Sequence, residues 1–258
     1  MEISNQDSNR VRLRDYFKNN IIIIVQVINL EEREINMFKN KEIDLLIGLI
    51  IGDGSIYKSN NSYTLAIGHG QSQKDYCEWK MNLINEAKIF DTEIKMHTKL
   101  IKNKYIQYRV RKTSKKLSYI YNLFTVDGKK SVKNVLKLMK SNRSVSMWFM
   151  DDGSVEPSRK KLKDGTIKYY RPNLRLCTHC FSYEENEIIK KWFFNKYKIH
   201  CNIRKEVKKN RPNKPEYFFL RFDAENTELV YRKILKEYIH ICPSMEKKFK
   251  HIINFYES

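Results

Sequence analysis

Two short runs each end in a carboxylate followed by glycine: Leu46-Ile47-Gly48-Leu49-Ile50-Ile51-Gly52-Asp53-Gly54 and Val145-Ser146-Met147-Trp148-Phe149-Met150-Asp151-Asp152-Gly153. One Asp-Gly after an apolar helix reads as a glycine cap beside a solvated acid. A carboxylate at a helix C-terminus opposes the macrodipole, however, and two of them closing two apolar helices call for a cation. Gly48 and Gly52 lie four apart on one helix face, a spacing that permits close helix approach. If the two helices pack side by side, their last turns bring Asp53 and Asp152 together. Two hard oxygen ligands so placed bind Mg²⁺, with waters and a substrate phosphate completing the shell. Metals flanking a phosphodiester would activate water and stabilise the leaving oxygen.

The segments around these runs must hold them in place. A helix is predicted over residues 41–53. Strands follow at 56–58 and 63–67, with Tyr63, Leu65 and Ile67 on one face. A helix over 74–88 has Tyr76, Trp79, Met81, Leu83 and Ile84 as its expected buried set. A hairpin follows, in which Ile106, Tyr108 and Val110 alternate with Tyr105, Gln107, Arg109 and Arg111. Helices are expected at 118–124 and 131–140 around an Asp127-Gly128 turn. The order then recurs. A polar excursion at 156–165 leads to a strand at 170–178 and an amphipathic helix at 184–197. A hairpin of 202–208 and 217–223 spans the basic turn Lys208-Lys209-Asn210-Arg211-Pro212, and a helix at 225–238 closes the pattern. Helix, two strands, helix, two strands, helix thus occurs twice.

Composition narrows the partner. The chain has 258 residues, 50 Lys+Arg against 30 Asp+Glu, and a formal charge of +20. A folded chain this basic points to a polyanion, with nucleic acid the first choice and an anionic membrane surface the weaker alternative, since no basic amphipathic anchor stands out. Ile21-Ile22-Ile23-Ile24-Val25 is too short to span a bilayer and carries no secretory flanks. An odd count of five cysteines argues against a disulfide framework and for a reducing compartment. Cys177-Thr178-His179-Cys180 has CxxC spacing, but it falls at the end of an alternating strand, so buried free thiols are expected rather than a zinc site.

The paired runs resemble the two signatures of the LAGLIDADG homing endonuclease family, in its single-chain, intron-encoded, I-SceI-like branch. The resemblance spans residues 41–258. It implies an α+β fold of two pseudo-symmetric αββαββα repeats whose antiparallel sheets form a DNA-binding saddle. The expected organisation is an N-terminal extension (1–40), a first repeat with linker (41–141) and a second repeat (142–258). The resemblance further implies a monomer that makes a double-strand break in a long, largely asymmetric DNA target, promotes intron mobility, and needs Mg²⁺, with Mn²⁺ able to substitute. An RNA maturase bound to its own group I intron is the alternative, and a regulatory DNA-binding protein is a third reading that the retained acids oppose. Mitochondrial encoding is expected, with the plastid as alternative.

Matching Asp-Gly to Asp-Gly makes Asp152, not Asp151, the counterpart of Asp53; Gly52 and Asp151 adjoin the pair in the expected metal shell. Ile51 stands where many members carry an acid. Met147 and Asp151 oppose Gly48 and Gly52, so the helix interface should be asymmetric. Family lysines map to Lys130 and Lys248, with Lys129 and Lys247 still open; such lysines would polarise the scissile phosphate or organise water. In a sheet packed on one face, the polar alternates meet the ligand. That rule selects Lys95, His97, Lys99, Gln107, Arg109, Arg111, Arg171, Asn173, Arg175, Asn202, Arg204 and Arg221 as DNA-facing candidates, since Arg reads guanine and Asn or Gln reads adenine.

Overall fold

The computed structural model describes residues 38–258 except 103 and 207–215. The Ile21–Val25 run, nearly all of the expected extension and the basic turn at 208–212 therefore lie outside the described residues. The chain divides into two compact units, Met1–Lys39 and Asn40–Ser258, and the second contains both Asp-Gly runs.

The elements of this second unit are α1 (Asn40–Ile51), β1 (Ser55–Ser59), β2 (Ser62–Gly70), α2 (Lys74–Glu86), β3 (Met96–Ile101), β4 (Tyr105–Ser114), α3 (Ser118–Phe124), β5 (Thr125–Val126) and β6 (Lys129–Lys130). After them come α4 (Asn142–Asp152), β7 (Gly153–Lys161), β8 (Ile167–Cys177), α5 (Tyr183–Tyr197), β9 (Asn202–Glu206), β10 (Tyr217–Phe222), α6 (Ala224–Val230) and α7 (Pro243–Tyr256). Two four-stranded antiparallel sheets result, in the orders β1-β2-β4-β3 and β7-β8-β10-β9. The fold is α+β, with the order helix, two strands, helix, two strands, helix running twice; the β5–β6 hairpin follows the first copy and α7 the second.

Alternation decides which sheet face is buried. Leu65, Ile67 and Val110 in the first sheet, and Leu174, Leu176, Leu220 and Phe222 in the second, form the inner faces. Every α1 residue from Ile43 to Ile51 is buried, so this helix is central rather than peripheral. Contact with α4 is close at the glycines. A Cβ on Gly48 would sit 2.6 Å from Met147 Cε, and one on Gly52 2.5 Å from Asp151 Cβ. Asp44 ties the helices together at their other end: its Oδ1 accepts from Lys140 N (2.6 Å) and Ser141 N (3.2 Å), and its Oδ2 from Ser144 Oγ (3.0 Å).

Several expected elements are corrected. Residues 131–140 are not a helix but a largely irregular stretch with one tight turn at Leu136–Leu138, since Val132, Val135, Leu136 and Met139 are all drawn into the core and Glu185 accepts from Ser131 Oγ and Val132 N. The polar 156–165 excursion is mostly strand: β7 pairs with β8 as far as Lys161↔Ile167, because backbone ladder pairing does not require the apolar alternation by which strands are read from sequence. The helix expected at 225–238 stops at Val230 and widens into a π turn at Tyr231–Leu235. The closing helix α7 is an addition to the expected order, although Pro243 sits at its start as helix entry favours. Among the described residues no helix is long and apolar enough to cross a membrane.

Candidate active site

Both Asp-Gly pairs mark a chain that leaves its helix across the last turn. A Cβ on Gly54 would lie 2.0 Å from Leu49 O, and one on Gly153 2.3 Å from Phe149 O. Glycine is required by close backbone approach. Gly153 is not a left-handed cap: its φ is −75° and β7 begins directly. The two ends differ in detail: α1 stops at Ile51, leaving Asp53 in a turn, whereas α4 runs through Asp152.

A lysine caps each helix. Lys130 Nζ donates to Ile50 O (2.6 Å) and Gly52 O (2.9 Å), and Lys248 Nζ donates to Met150 O (2.6 Å) and Asp151 O (2.8 Å). The last carbonyls of a helix lack partners and carry the negative end of its dipole, so an ammonium fits there. Lys130 is delivered by the β5–β6 hairpin, whose Asp127 and Gly128 both have positive φ, the geometry of a two-residue turn between twisted strands. Lys248 comes from the first half of α7. Burial holds both ammonium pKa values below the ordinary lysine value. Lys129 and Lys247, their neighbours, are exposed.

The carboxylates are electrostatically uncomfortable. Burial raises the pKa of Asp53, and the charge of Asp151 adds to the effect; Lys80, Lys248 and Lys130 pull the other way. Asp152 is pushed up to about 7, first by burial and then by the charges of Asp151 and Asp53. Ligand atoms of Asp53, His69 and Asp151 lie within 4.8 Å of one another. Asp151 is already engaged: its Oδ1 takes Lys80 Nζ at 2.6 Å and its Oδ2 the backbone N–H of Asp53 at 3.0 Å. Gly52 O accepts from Lys130. Burial, with the Lys80 charge, holds the His69 pKa down to about 4, so its imidazole is neutral.

Strand register places the DNA-facing candidates. His97 pairs with Arg109 and Lys99 with Gln107, and all four share the face opposite Val110. Lys95 is exposed just before β3. Arg109 Nε donates to Gln107 Oε1 (2.6 Å), and Arg111 donates to Tyr57 OH. In the second sheet Arg175 and Arg221 are cross-strand partners, as are Asn202 and Arg221, Arg204 and Phe219, and Asn173 and Glu156. Acids join this face: Glu206 accepts from Arg175 (2.7 Å) and lies 2.8 Å from His179, while Glu156 accepts from Arg221 (2.8 Å). The Arg175 guanidinium also stacks 3.7 Å over Phe219. Arg171 sits near Glu228 of α6 (3.9 Å).

Residue types and spacing did not single out His69, Lys80, Tyr57, Glu156 or Glu206. Lys80 left a trace, lying on the i, i+4 line from buried Tyr76 to buried Ile84; Trp79 and Met81, expected there, are only half-buried. All five cysteines are free; Cys180 is exposed and Cys177 half-buried, against the expected burial of both.

Residues 43–230 match the LAGLIDADG DNA endonuclease family. "Probable intron-encoded endonuclease 1" of Wickerhamomyces canadensis is 30% identical over 210 residues, which cover 80% of this chain and 82% of the relative. In fold, the chain is similar to the homing endonuclease I-WcaI bound to its DNA recognition sequence, with a TM-score of 0.61 at 24% identity over 81% of this chain and 86% of the other. With its two Asp-Gly helix ends side by side and that match across most of its length, the chain belongs to the LAGLIDADG DNA endonuclease family.

Proposed function

We propose that this DNA endonuclease cuts both strands of a long, largely asymmetric duplex target by divalent-metal-assisted phosphodiester hydrolysis. The observation that supports this most is the charge balance at the two helix ends. Burial, with the charge of Asp151, raises the pKa of both Asp53 and Asp152, and Asp152 reaches about 7. A divalent cation would relieve that strain, so the donor set fits Mg²⁺, with Mn²⁺ as substitute. When bound, the metal supplies Lewis-acid stabilisation and an activated water.

The chain's own residues do the rest. Asp53 and Asp152 are the metal-holding carboxylates. Lys130 and Lys248 keep positive charge beside them, anchored on backbone carbonyls and so spared any reorganisation when a phosphate arrives. The polar faces of the two sheets track the duplex and read its major groove. Both Asp-Gly ends lie on one chain, so a monomer suffices for the whole site; an intron-encoded gene fits the relative's name, and a mitochondrial genome is the proposed home of that gene.

The test is cleavage of a plasmid carrying the uninterrupted host-gene junction, with Mg²⁺ and with chelator. Metal-dependent linearisation at the junction is expected. Intact plasmid under both conditions would overturn the reading.

A further inference from the structure

Lys80 and Asp151 form an ion pair between α2 and α4 with both side chains fully buried. Such a pair is costly to desolvate, and a well-packed apolar pair would serve stability as well or better. What the charges hold is therefore the informative part. Asp151 Oδ2 accepts the backbone N–H of Asp53 (3.0 Å), and Oδ1 is locked by Lys80 (2.6 Å). Lys80 Nζ also lies 3.1 Å from His69 Nε2, which must accept because the ammonium only donates. His69 Nδ1 then carries the proton, toward Gln73 Oε1 (3.3 Å) and 3.9 Å from Asp53 Oδ2. Tyr76, whose ring lies 4.4 Å from Lys80 Nζ, fixes the far side by donating to Met147 O. Asp53 is thus steadied by its backbone and faced by an oriented imidazole.

The second repeat does not repeat this network. Counted from the helix N-caps Gln73 and Ser182, Lys80 corresponds to Ile189 and His69 to Thr178. Ile189 is fully buried, and Thr178 donates to Asn186 Oδ1 and Phe218 O. Asp151 itself corresponds to Gly52. Asp152, still within α4, gets its backbone position from the helix.

We propose that Lys80, Asp151 and His69 are positioning residues for Asp53 alone, so that one DNA strand depends on them for cutting and the other does not. This rests on the proposed function and on each carboxylate serving one strand. The experiment measures nicking of each strand of the junction duplex, end-labelled separately, under single turnover with Mg²⁺. Lys80→Met should lower one strand's rate and shift the ratio of the two by roughly 10- to 100-fold, the usual scale for groups that orient a ligand. Lys80→Met with Asp151→Asn removes both charges together, keeps an oxygen for the Asp53 N–H, and should shift the ratio in the same direction; it decides the matter if the single variant does not fold. Ile189→Val, at the matching place in the second repeat, controls for loss of packing and should leave the ratio unchanged. Both strands slowed equally in a folded variant would overturn the inference while leaving the proposed function intact. A wild-type protein that cuts neither strand would overturn both.

Discussion

Beside the first motif helix stand Gly52, His69 and Lys80; in the second repeat the corresponding positions hold Asp151, Thr178 and Ile189. The buried ammonium of Lys80 answers to the apolar Ile189, while the carboxylate Asp151 of the second repeat answers to Gly52 of the first. The helices themselves follow suit. Gly48 and Gly52 let α4 come against α1, while α4 presents Met147 and Asp151 and carries Trp148 and Phe149 into an aromatic cluster with Phe193, Phe181 and Phe222. The lysine caps, by contrast, are nearly superimposable in role, each ammonium on two terminal carbonyls of its own half. The comparison separates what a duplicated fold must keep, the helix ends and their cations, from what each half can settle by itself.

The sharpest way to break the comparison is at the carboxylates. Asp53→Asn and Asp152→Asn should each abolish double-strand cutting in a linearisation assay while leaving duplex binding by gel shift; a variant that still linearises plasmid would show that one acid suffices. Next come the core positions. Trp148→Ala should cost about 3–5 kcal/mol in denaturant unfolding, as buried aromatic truncations do. Gly52→Ala should cost about 1–3 kcal/mol, because its Cβ would overlap the Asp151 side chain. If Gly52→Ala were neutral, close approach would not be what the first helix needs its glycines for.

A pH experiment sharpens the electrostatic half. Folded Asp152 keeps its proton to about 7, while the unfolded chain loses it near 3.8. Between those values the unfolded state binds fewer protons, so this residue's contribution to stability is present at low pH and lost as pH rises through about 7. Metal-free Asp152→Asn should therefore melt higher than wild type at pH 8, with the two converging near pH 4; each kcal/mol corresponds to roughly 2–4 °C at this size. An equal melting difference at both pH values would contradict the burial argument. The smallest effects belong to the sheet faces. Glu156→Gln and Glu206→Gln free Arg221 and Arg175 and remove negative charge, so nonspecific duplex affinity should rise and fall off more steeply with salt. The first sheet, whose Arg109 and Arg111 lean on Gln107 and Tyr57, offers no matching acid at those arginines among the described residues.

Much of this is legible in the amino-acid sequence, and for identifiable reasons. Strand alternation has a period of two, so Gln107, Arg109, Arg111, Arg175 and Arg221 can be assigned a face from their spacing. The Asp-Gly ends are visible because a chain crossing its own helix needs glycine. Residues 131–140 mislead because apolar spacing alone does not distinguish a helix from an irregular stretch pinned by Glu185. Lys80 is invisible for a different reason: a lysine on a helix is ordinarily solvated, and only the three-dimensional meeting of α2 with α4 makes it a buried partner of Asp151. Glu206, far along the chain from Arg175, is hidden in the same way.

The central claim is that Asp53 and Asp152 hold the divalent metals, each at its own helix end. Mn²⁺ titration of the protein bound to its junction duplex, followed by loss of the free-ion EPR signal against duplex alone, addresses it directly. Wild type should take up Mn²⁺ above the duplex blank, and the Asp53→Asn/Asp152→Asn variant should not. Equal uptake by the two proteins would contradict the account.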